Sequence, residues 1–464
     1  MALPRVDLVV FLVAAVLRLA WVLGLPDALT WIDEQQFVDI GRALAAGHGY
    51  VSDSYRANPV LPAYLALVFR TFGDGYLAAR VGQALLGALT CVLVARVARR
   101  IDGEPAAAIA GGLAALYLPH VYLTGVFYVD TLVTFFSAVT TLLVLRATTR
   151  HGMADWVVAG VALGITALTR PLYVAYLPPV CVWWLWRRGS PRAAAQCLAF
   201  VLGVAATILP WTARNYRVYH RPILVSSGFG TKLWEGNNPL AYGDADDRDL
   251  RPYGDVWRKR LAHLPAGEQR ALVAAYAPVL DAIESRIEAG EDPFVVTDSI
   301  LLPIAVRHMR EHPGRTVELF VRKLVTLYSA FSKTLTQNHD TSRRNKLLAA
   351  LAFYPLLALA TAGAVVGVRR RARVGVVLVL LGAISGAYAL LDTCTRFRLP
   401  LDPFLAVLAA LPLAAAWQRM VGRRRPAPGP APGRAWSPPL GWVNGVLLLV
   451  ATSLVPCMAA LARV

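Results

Sequence analysis

The chain has 464 residues, 56% hydrophobic and only 16% charged, where soluble proteins carry roughly a quarter charged residues. Apolar runs of about twenty residues recur along it, the length that crosses a bilayer as a helix, so a single large soluble core is excluded. The net charge of +18 does not signal nucleic acid, because the clusters Arg99-Arg100, Arg187-Arg188, Arg369-Arg370-Arg371 and Arg423-Arg424-Arg425 each flank an apolar run. That placement signals membrane topology and contact with anionic head groups, not a phosphate-tracking stripe.

In chain order, the first apolar run, Leu8 to Leu25, lacks a convincing small-residue cleavage site and reads as an uncleaved first helix over about 7–25. Trp31-Ile32-Asp33-Glu34 follows, and Asp33 to Ala46 predicts an amphipathic helix stopped by Gly47 and Gly49. Asn58-Pro59 to Phe72 predicts a second helix along the membrane surface. Further spans are predicted at about 76–98, two within 105–145 with a turn near Pro119-His120, two within 154–186 broken near Thr169-Arg170-Pro171, and 193–210. From Trp211 to about Asn345 no run is long enough to span, and prolines at 252, 265, 293 and 313 divide the stretch into short helices. Spans at about 347–368, 374–391 and 399–417 follow, then a Pro/Gly-rich linker over 422–439 and a last span at about 440–461. The expectation is a mostly α, polytopic membrane protein with about eleven transmembrane helices. Its parts are an N-terminal membrane core (1–210), a soluble, mainly helical domain (211–345) and C-terminal membrane helices (346–464).

With the N-terminus inside, all the arginine-bearing short loops (99–104, 146–153, 187–192, 369–373, 418–438) face the cytoplasm. The loop 26–75, the turn near 120–128, Arg170, the domain 211–345 and the loop 392–398 then face outward. The five cysteines show no pairing pattern and no C-x-x-C, so neither a disulfide framework nor a thiolate metal site is indicated.

Several polar residues converge on that outer side. Asp130, in Gly125-Val-Phe-Tyr-Val-Asp130, is expected one or two turns inside a span, where an ionisable group needs a cavity or a partner. The alternative is a structural pair with an arginine of a neighbouring helix. Asp33 is a candidate base; the alternative is an N-cap. Arg170, Arg396 and Arg398 lie on the side where positive-inside topology does not explain them, and guanidinium forks suit phosphate oxygens. Snorkelling to the interface is the competing explanation. Trp234-Glu235-Gly236-Asn237-Asn238-Pro239 has the ring and amides that suit a sugar, though Gly, Asn and Pro also build turns. His308-Met-Arg-Glu311-His312 has H-x-x-E-H zinc-site spacing, but Pro313 ends the helix at once and a polar helix end is favoured. No Gly-rich phosphate loop occurs, so energy arrives in an activated substrate or a gradient.

This order of features resembles the membrane glycosyltransferases of the GT-C superfamily. The nearest subset is the bacterial group with aminoarabinose transferase, protein O-mannosyltransferases and rhizobial lipopolysaccharide core transferases. The resemblance rests on Asp33-Glu34, Tyr55-Arg56-Ala57-Asn58-Pro59, Ala79-Arg80, Asp130, Leu168-Thr169-Arg170-Pro171, Pro210-Trp211-Thr-Ala-Arg214-Asn215-Tyr216, Gly236-Asn237-Asn238-Pro239 and Arg396-Phe397-Arg398-Leu399-Pro400. It implies an inverting transfer of a sugar from a polyprenyl-phosphate donor to a hydroxyl of a lipid, glycan or protein acceptor, at the outer face of a bacterial plasma membrane. It implies Asp33 as the base, with Asp130 orienting the acceptor or assisting the base. Glu34, Tyr55, Arg56, Arg80, Arg170, Arg214, Asn237, Arg396 and Arg398 are implied on the substrates, with no metal and no cofactor. Where several relatives carry Lys-Pro-Pro, this chain has Asn58-Pro59-Val60, removing a cation that Arg56 is placed to replace. A transporter or lipid flippase is the rival class; against it, the polar groups gather on one face and the spans show no internal repeat.

Overall fold

The computed structural model describes residues 5–31, 33–50, 58–250, 252, 254–330, 343–370 and 373–421. The last predicted span, the 422–439 linker, Tyr55 and Arg56 lie outside the described residues. The chain divides into two compact units. The first comprises Met1–Val225, Thr336–Ile384 and Leu399–Val464; the second comprises Ser226–Leu335 and Ser385–Arg398. Among the described residues all regular structure is helical.

The first unit opens with α1 (Arg5–Leu23), α2 (Glu34–Ala45) and α3 (Val60–Phe72), so both predicted loop helices form with nearly the expected bounds. Next comes α4 (Tyr76–Leu116), two helices joined at a kink where Asp102 leaves the helical region and Gly103 takes φ 84°. That conformation suits glycine, which has no Cβ to clash. Then follow α5 (Leu118–Leu123), α6 (Val129–Arg150), α7 (Met153–Thr169), α8 (Leu177–Arg188) and α9 (Pro191–Tyr219). The outer domain was expected to begin at Trp211, but α9 runs past that point, and the second unit begins at Ser226. In the C-terminal part lie α15 (Arg343–Arg369), α16 (Gly375–Leu390, shared by both units) and α18 (Asp402–Met420).

Among the described residues six helices are long and apolar enough to cross a membrane, and Val60–Phe72, Met153–Thr169 and Gly375–Leu390 are shorter apolar helices. The chain is a multi-pass membrane protein. Within the first unit α1 packs on α4, α6 on α7, and α18 on α4 and α15. Where α7 meets α9 both helices present glycine: a Cβ on Gly160 would lie 2.2 Å from the Phe200 carbonyl oxygen. A Cβ on Gly203 would lie 2.4 Å from the Val157 carbonyl oxygen. Small residues at such crossings let backbones approach when no water is present to drive association.

Two charged groups inside this unit are held by partners within it. Arg18 is buried, and its two terminal nitrogens donate to the carbonyls of Ala14, Ala115 and Ala114 at 3.2–3.3 Å. A cation at the carbonyl-rich end of a helix is favourably placed. Asp7 is buried between Arg96 and Arg99, each 2.7 Å away.

The second unit contains α10 (Phe229–Glu235), α11 (Asp255–Leu261), α12 (Ala266–Glu288), α13 (Pro293–Glu311), α14 (Pro313–Leu327) and α17 (Thr395–Arg398). Its core holds the stacked rings of Trp234 and Trp257, centroids 5.5 Å apart, with Tyr276 edge-on to both. Arg260 is buried against Asp247 and lies 2.7 Å from Asp244.

Candidate active site

The first unit gathers its site around one short strip, Gly125–Asp130, which runs from the end of α5 into the first turn of α6. Five side chains reach it. Arg80, 2% exposed, donates from Nε to the Gly125 carbonyl at 3.0 Å. Gln83 donates to the Val126 carbonyl at 3.1 Å. The Phe127 N–H donates to Glu34 at 2.9 Å. The Tyr128 hydroxyl donates to Asp33 Oδ2 at 2.6 Å. Asp130 accepts from Arg170 Nη1 at 3.0 Å. Gly125, Val126 and Tyr128 donate their N–H groups to nearby main-chain carbonyls, and side chains satisfy the Phe127 N–H and the Gly125 and Val126 carbonyls.

The adjacent carboxylates Asp33 and Glu34 have separate tasks. Glu34 is fully buried, and its other oxygen accepts from the Thr30 and Trp31 N–H groups at 3.0 and 2.6 Å. It closes the turn at the start of α2 and pins that turn to Phe127. Burial raises its pKa above the usual carboxylate value, opposed by these three N–H bonds and by Arg80. Asp33 is the N-cap of α2 but its side chain makes no cap bond, so capping does not account for it. It is exposed, and among the described residues its Oδ1 accepts no hydrogen bond. Tyr128 is held in turn by edge-on contacts with Trp31 at 4.8 Å and Phe37 at 5.9 Å. Sequence reasoning missed Tyr128, although it lies two residues before Asp130. A phenol in an apolar run carries no signal of its own.

Asp130 is fully buried and sits in the first turn of α6, not one or two turns inside a span as expected. Its partner Arg170 follows the last residue of α7 with extended backbone, φ −148° and ψ 106°. Pro171 imposes this, since the residue before a proline is driven out of the helical region. The pairing foreseen as the alternative for Asp130 is present, and the arginine is one of the candidate phosphate ligands. Arg80 donates to three main-chain carbonyls, those of Gly125 at 3.0 Å and of Pro26 and Ala28 at 2.6 Å. It ties the strip to the loop after α1. Arg214 donates to the Tyr50 carbonyl at 3.1 Å and lies over the Tyr50 and Trp211 rings at 5.1 and 5.0 Å, joining the end of α9 to the loop after α2.

The remaining candidates lie in the second unit. Asn237 is buried, donating to the Leu233 and Leu390 carbonyls, each at 2.8 Å, and accepting from Lys323 at 3.1 Å. Lys323 was not foreseen. It is fully buried and also donates to the carbonyls of Gly236, Leu390 and Leu391 at 3.0, 3.3 and 2.9 Å. Burial lowers the pKa of its ammonium to about 8, against the pull of Asp247 and Asp392. Arg396 and Arg398 are buried, the latter within 3.4–3.5 Å of the Leu327 and Ser329 carbonyls. His312 lies against His308 with ring centroids 4.4 Å apart and planes tilted by 30°, and caps α13. Among the described residues no three His, Cys, Asp or Glu side chains group as metal ligands.

Residues 56–212 match the family described as dolichyl-phosphate-mannose-protein mannosyltransferase, a stretch that includes Arg80, Tyr128, Asp130 and Arg170. No curated protein sequence matches the chain. Among solved structures it is similar to the Archaeoglobus fulgidus oligosaccharyltransferase tethered to an acceptor peptide by a disulfide. There the TM-score is 0.53 and the identity 17%, over 98% of this chain and 53% of that one. The same archaeal enzyme with Zn and sulfate gives TM-score 0.51 and 15% identity, over 98% of this chain and 51% of that one. ArnT from Cupriavidus metallidurans bound to undecaprenyl phosphate gives TM-score 0.39 and 17% identity, over 89% and 79%. The chain therefore spans about half the length of the archaeal enzyme. At such identities the likeness concerns the fold, which here agrees with the family match and with the sequence. The chain has the GT-C fold of the multi-pass membrane glycosyltransferases.

Proposed function

We propose that this chain is an inverting glycosyltransferase that moves a sugar from a polyprenyl-phosphate donor to a hydroxyl acceptor. The observation that carries the reading is the exposed Asp33 carboxylate, held through Oδ2 by Tyr128 while Oδ1 accepts nothing among the described residues. An anchored carboxylate with one open oxygen is what a general base requires. The family description, with its dolichyl-phosphate-mannose donor, supports a lipid-phosphate sugar. The tethered acceptor peptide of the archaeal enzyme is consistent with an acceptor brought to such a fold.

In the proposed step Asp33 takes the proton of the acceptor hydroxyl. The acceptor oxygen bonds to the anomeric carbon from the face opposite the leaving group. The carbon–oxygen bond to phosphate breaks, and the electron pair leaves with the polyprenyl phosphate. Phosphate is a good leaving group, so a base plus cations near the departing charge suffice. Asp130 orients Arg170, the cation this unit offers to the phosphate. Arg396 and Arg398 remain proposed phosphate ligands on sequence grounds, and Arg214 and Asn237 proposed substrate contacts. Tyr55 and Arg56 are proposed as donor-binding on the same grounds. Arg80 and Glu34, both engaged with main chain, act by positioning the loop that carries Asp33. The arginine-flanked loops support a bacterial inner-membrane protein with this site on the outer face.

The test uses membranes containing the full chain and radiolabelled polyprenyl-phosphate sugars. The wild type forms a glycosidic product and Asp33→Asn does not, while donor retention is unchanged. Full transfer by Asp33→Asn would remove Asp33 as the base. Uptake of label across the bilayer with no glycosidic bond formed would overturn the enzyme reading.

A further inference from the structure

At the other end of α6 the first unit holds a second polar pocket, of about 60 Å³, between the ends of α6 and α8 and the start of α16. It is lined by Arg187, Arg188, Arg373, His151, Trp183 and Trp184, with no acidic side chain. α6 has 22 residues, with Asp130 in its first turn and Arg150 at its end. At 1.5 Å per residue that is roughly 33 Å, about the thickness of a bilayer core. This pocket therefore lies at the opposite membrane boundary from Asp33 and Tyr128 and takes no part in the chemistry proposed there.

Among the described residues no acidic side chain lines the pocket to balance its charge. Arg188 and Arg373 both repel Arg187, and Arg373 also repels Arg100. The neighbouring acid Asp155 is 2.7 Å from Arg146 and so is already taken. Arg188 donates to His151 Nε2 at 2.5 Å and lies 5.0 Å over Trp184. Arg187 lies 5.6 Å over Trp183. Among the described residues neither Arg187 nor Arg373 donates a hydrogen bond, and the indole N–H of Trp183 is buried without a partner. A topology signal needs only arginines that point into water. Here they are gathered around a cavity, braced by indole rings, and left with unused donors. Guanidinium forks match phosphate oxygens, and paired tryptophans sit stably at the head-group level. The volume corresponds to about two waters of liquid, enough for a phosphate group and too small for an acyl chain.

We propose that this pocket binds a phosphate ester, supplied by the head group of an anionic phospholipid in the leaflet opposite the Asp33 site. The experiment uses the purified full chain in nanodiscs of phosphatidylcholine with or without phosphatidylglycerol, and native mass spectrometry to count retained lipid. A parallel arm adds inorganic phosphate to the chain in neutral detergent and reads tryptophan fluorescence. Each arginine near an anionic surface contributes about fivefold in affinity. Arg373→Gln is thus expected to retain phosphatidylglycerol about fivefold more weakly, and Arg187→Gln with Arg373→Gln weaker still. Arg373 lies exposed on a turn, so its replacement leaves the helices intact. Arg373→Lys keeps the charge and restores most of the retention. Binding of phosphatidylglycerol but not of inorganic phosphate identifies the lipid as the source. Equal, arginine-dependent binding of both identifies soluble phosphate instead and overturns the lipid source. Equal phosphatidylglycerol retention by wild type and both variants overturns the site.

Discussion

Replacing Tyr128 with Phe removes one hydroxyl and keeps the ring that packs on Trp31 and Phe37. The bond lost is 2.6 Å long and charge-assisted, donated to Asp33 Oδ2. Hydrogen bonds to charged groups contribute about 1.5–3 kcal/mol. If the bond serves to aim Asp33, kcat for sugar transfer falls about 10- to 150-fold, since each 1.4 kcal/mol is tenfold. Asp33→Asn removes the base itself, a loss of roughly 10²–10⁴. The two effects share one carboxylate, so the double variant should be no slower than Asp33→Asn alone. The assay is single-turnover transfer from labelled polyprenyl-phosphate sugar, with donor retention measured separately for every variant. A further tenfold loss in the double variant would refute the argument, because Tyr128 would then act on something other than Asp33.

Asp130→Asn leaves Arg170 facing a neutral amide in a buried site, and removing one member of a buried pair costs about 3–5 kcal/mol. The expected readout is earlier thermal inactivation in detergent, with part of the loss recovered when Arg170→Met is added. Lys323 predicts a pH dependence: its pKa falls from 10.5 to about 8 on folding, so between these values the native chain binds fewer protons than the unfolded one. Stability therefore rises as pH increases from about 8 to 10.5, by up to about 3 kcal/mol, and the rise is absent in Lys323→Met, as unfolding curves at several pH values will report. Gly160→Ala puts a Cβ 2.2 Å from the Phe200 carbonyl oxygen, so α7 and α9 must separate. Overpacking of this kind costs about 1–3 kcal/mol and is read as a lowered Tm.

Much of the fold was legible because a bilayer imposes strict length and polarity on each segment. The bounds of α2 and α3 followed from periodicity and from the glycines and proline at their ends. The break at Arg170 followed from Pro171. Asp33 and Asp130 stood out because carboxylates are conspicuous beside apolar runs. Tyr128 did not stand out, and neither did Lys323, which in sequence looks like an ordinary lysine on an amphipathic helix. Arg80 and Arg214 read as substrate ligands, yet Arg80 bonds to main-chain carbonyls of distant segments, and Arg214 to the Tyr50 carbonyl and the neighbouring Asn215 side chain.

The sequence by itself determined the multi-pass helical class, the two loop helices and the conspicuous acids, since each depends only on local composition and the solvent around the segment, whereas of the eleven expected spans the described residues show six helices long and apolar enough to cross a membrane. Only the tertiary structure decided which carboxylate is buried and which is open. Asp33 and Glu34 are neighbours of the same charge, and no local rule separates them. What separates them is Phe127, some ninety positions along the chain, whose N–H claims Glu34, and Tyr128 beside it, whose hydroxyl claims one oxygen of Asp33.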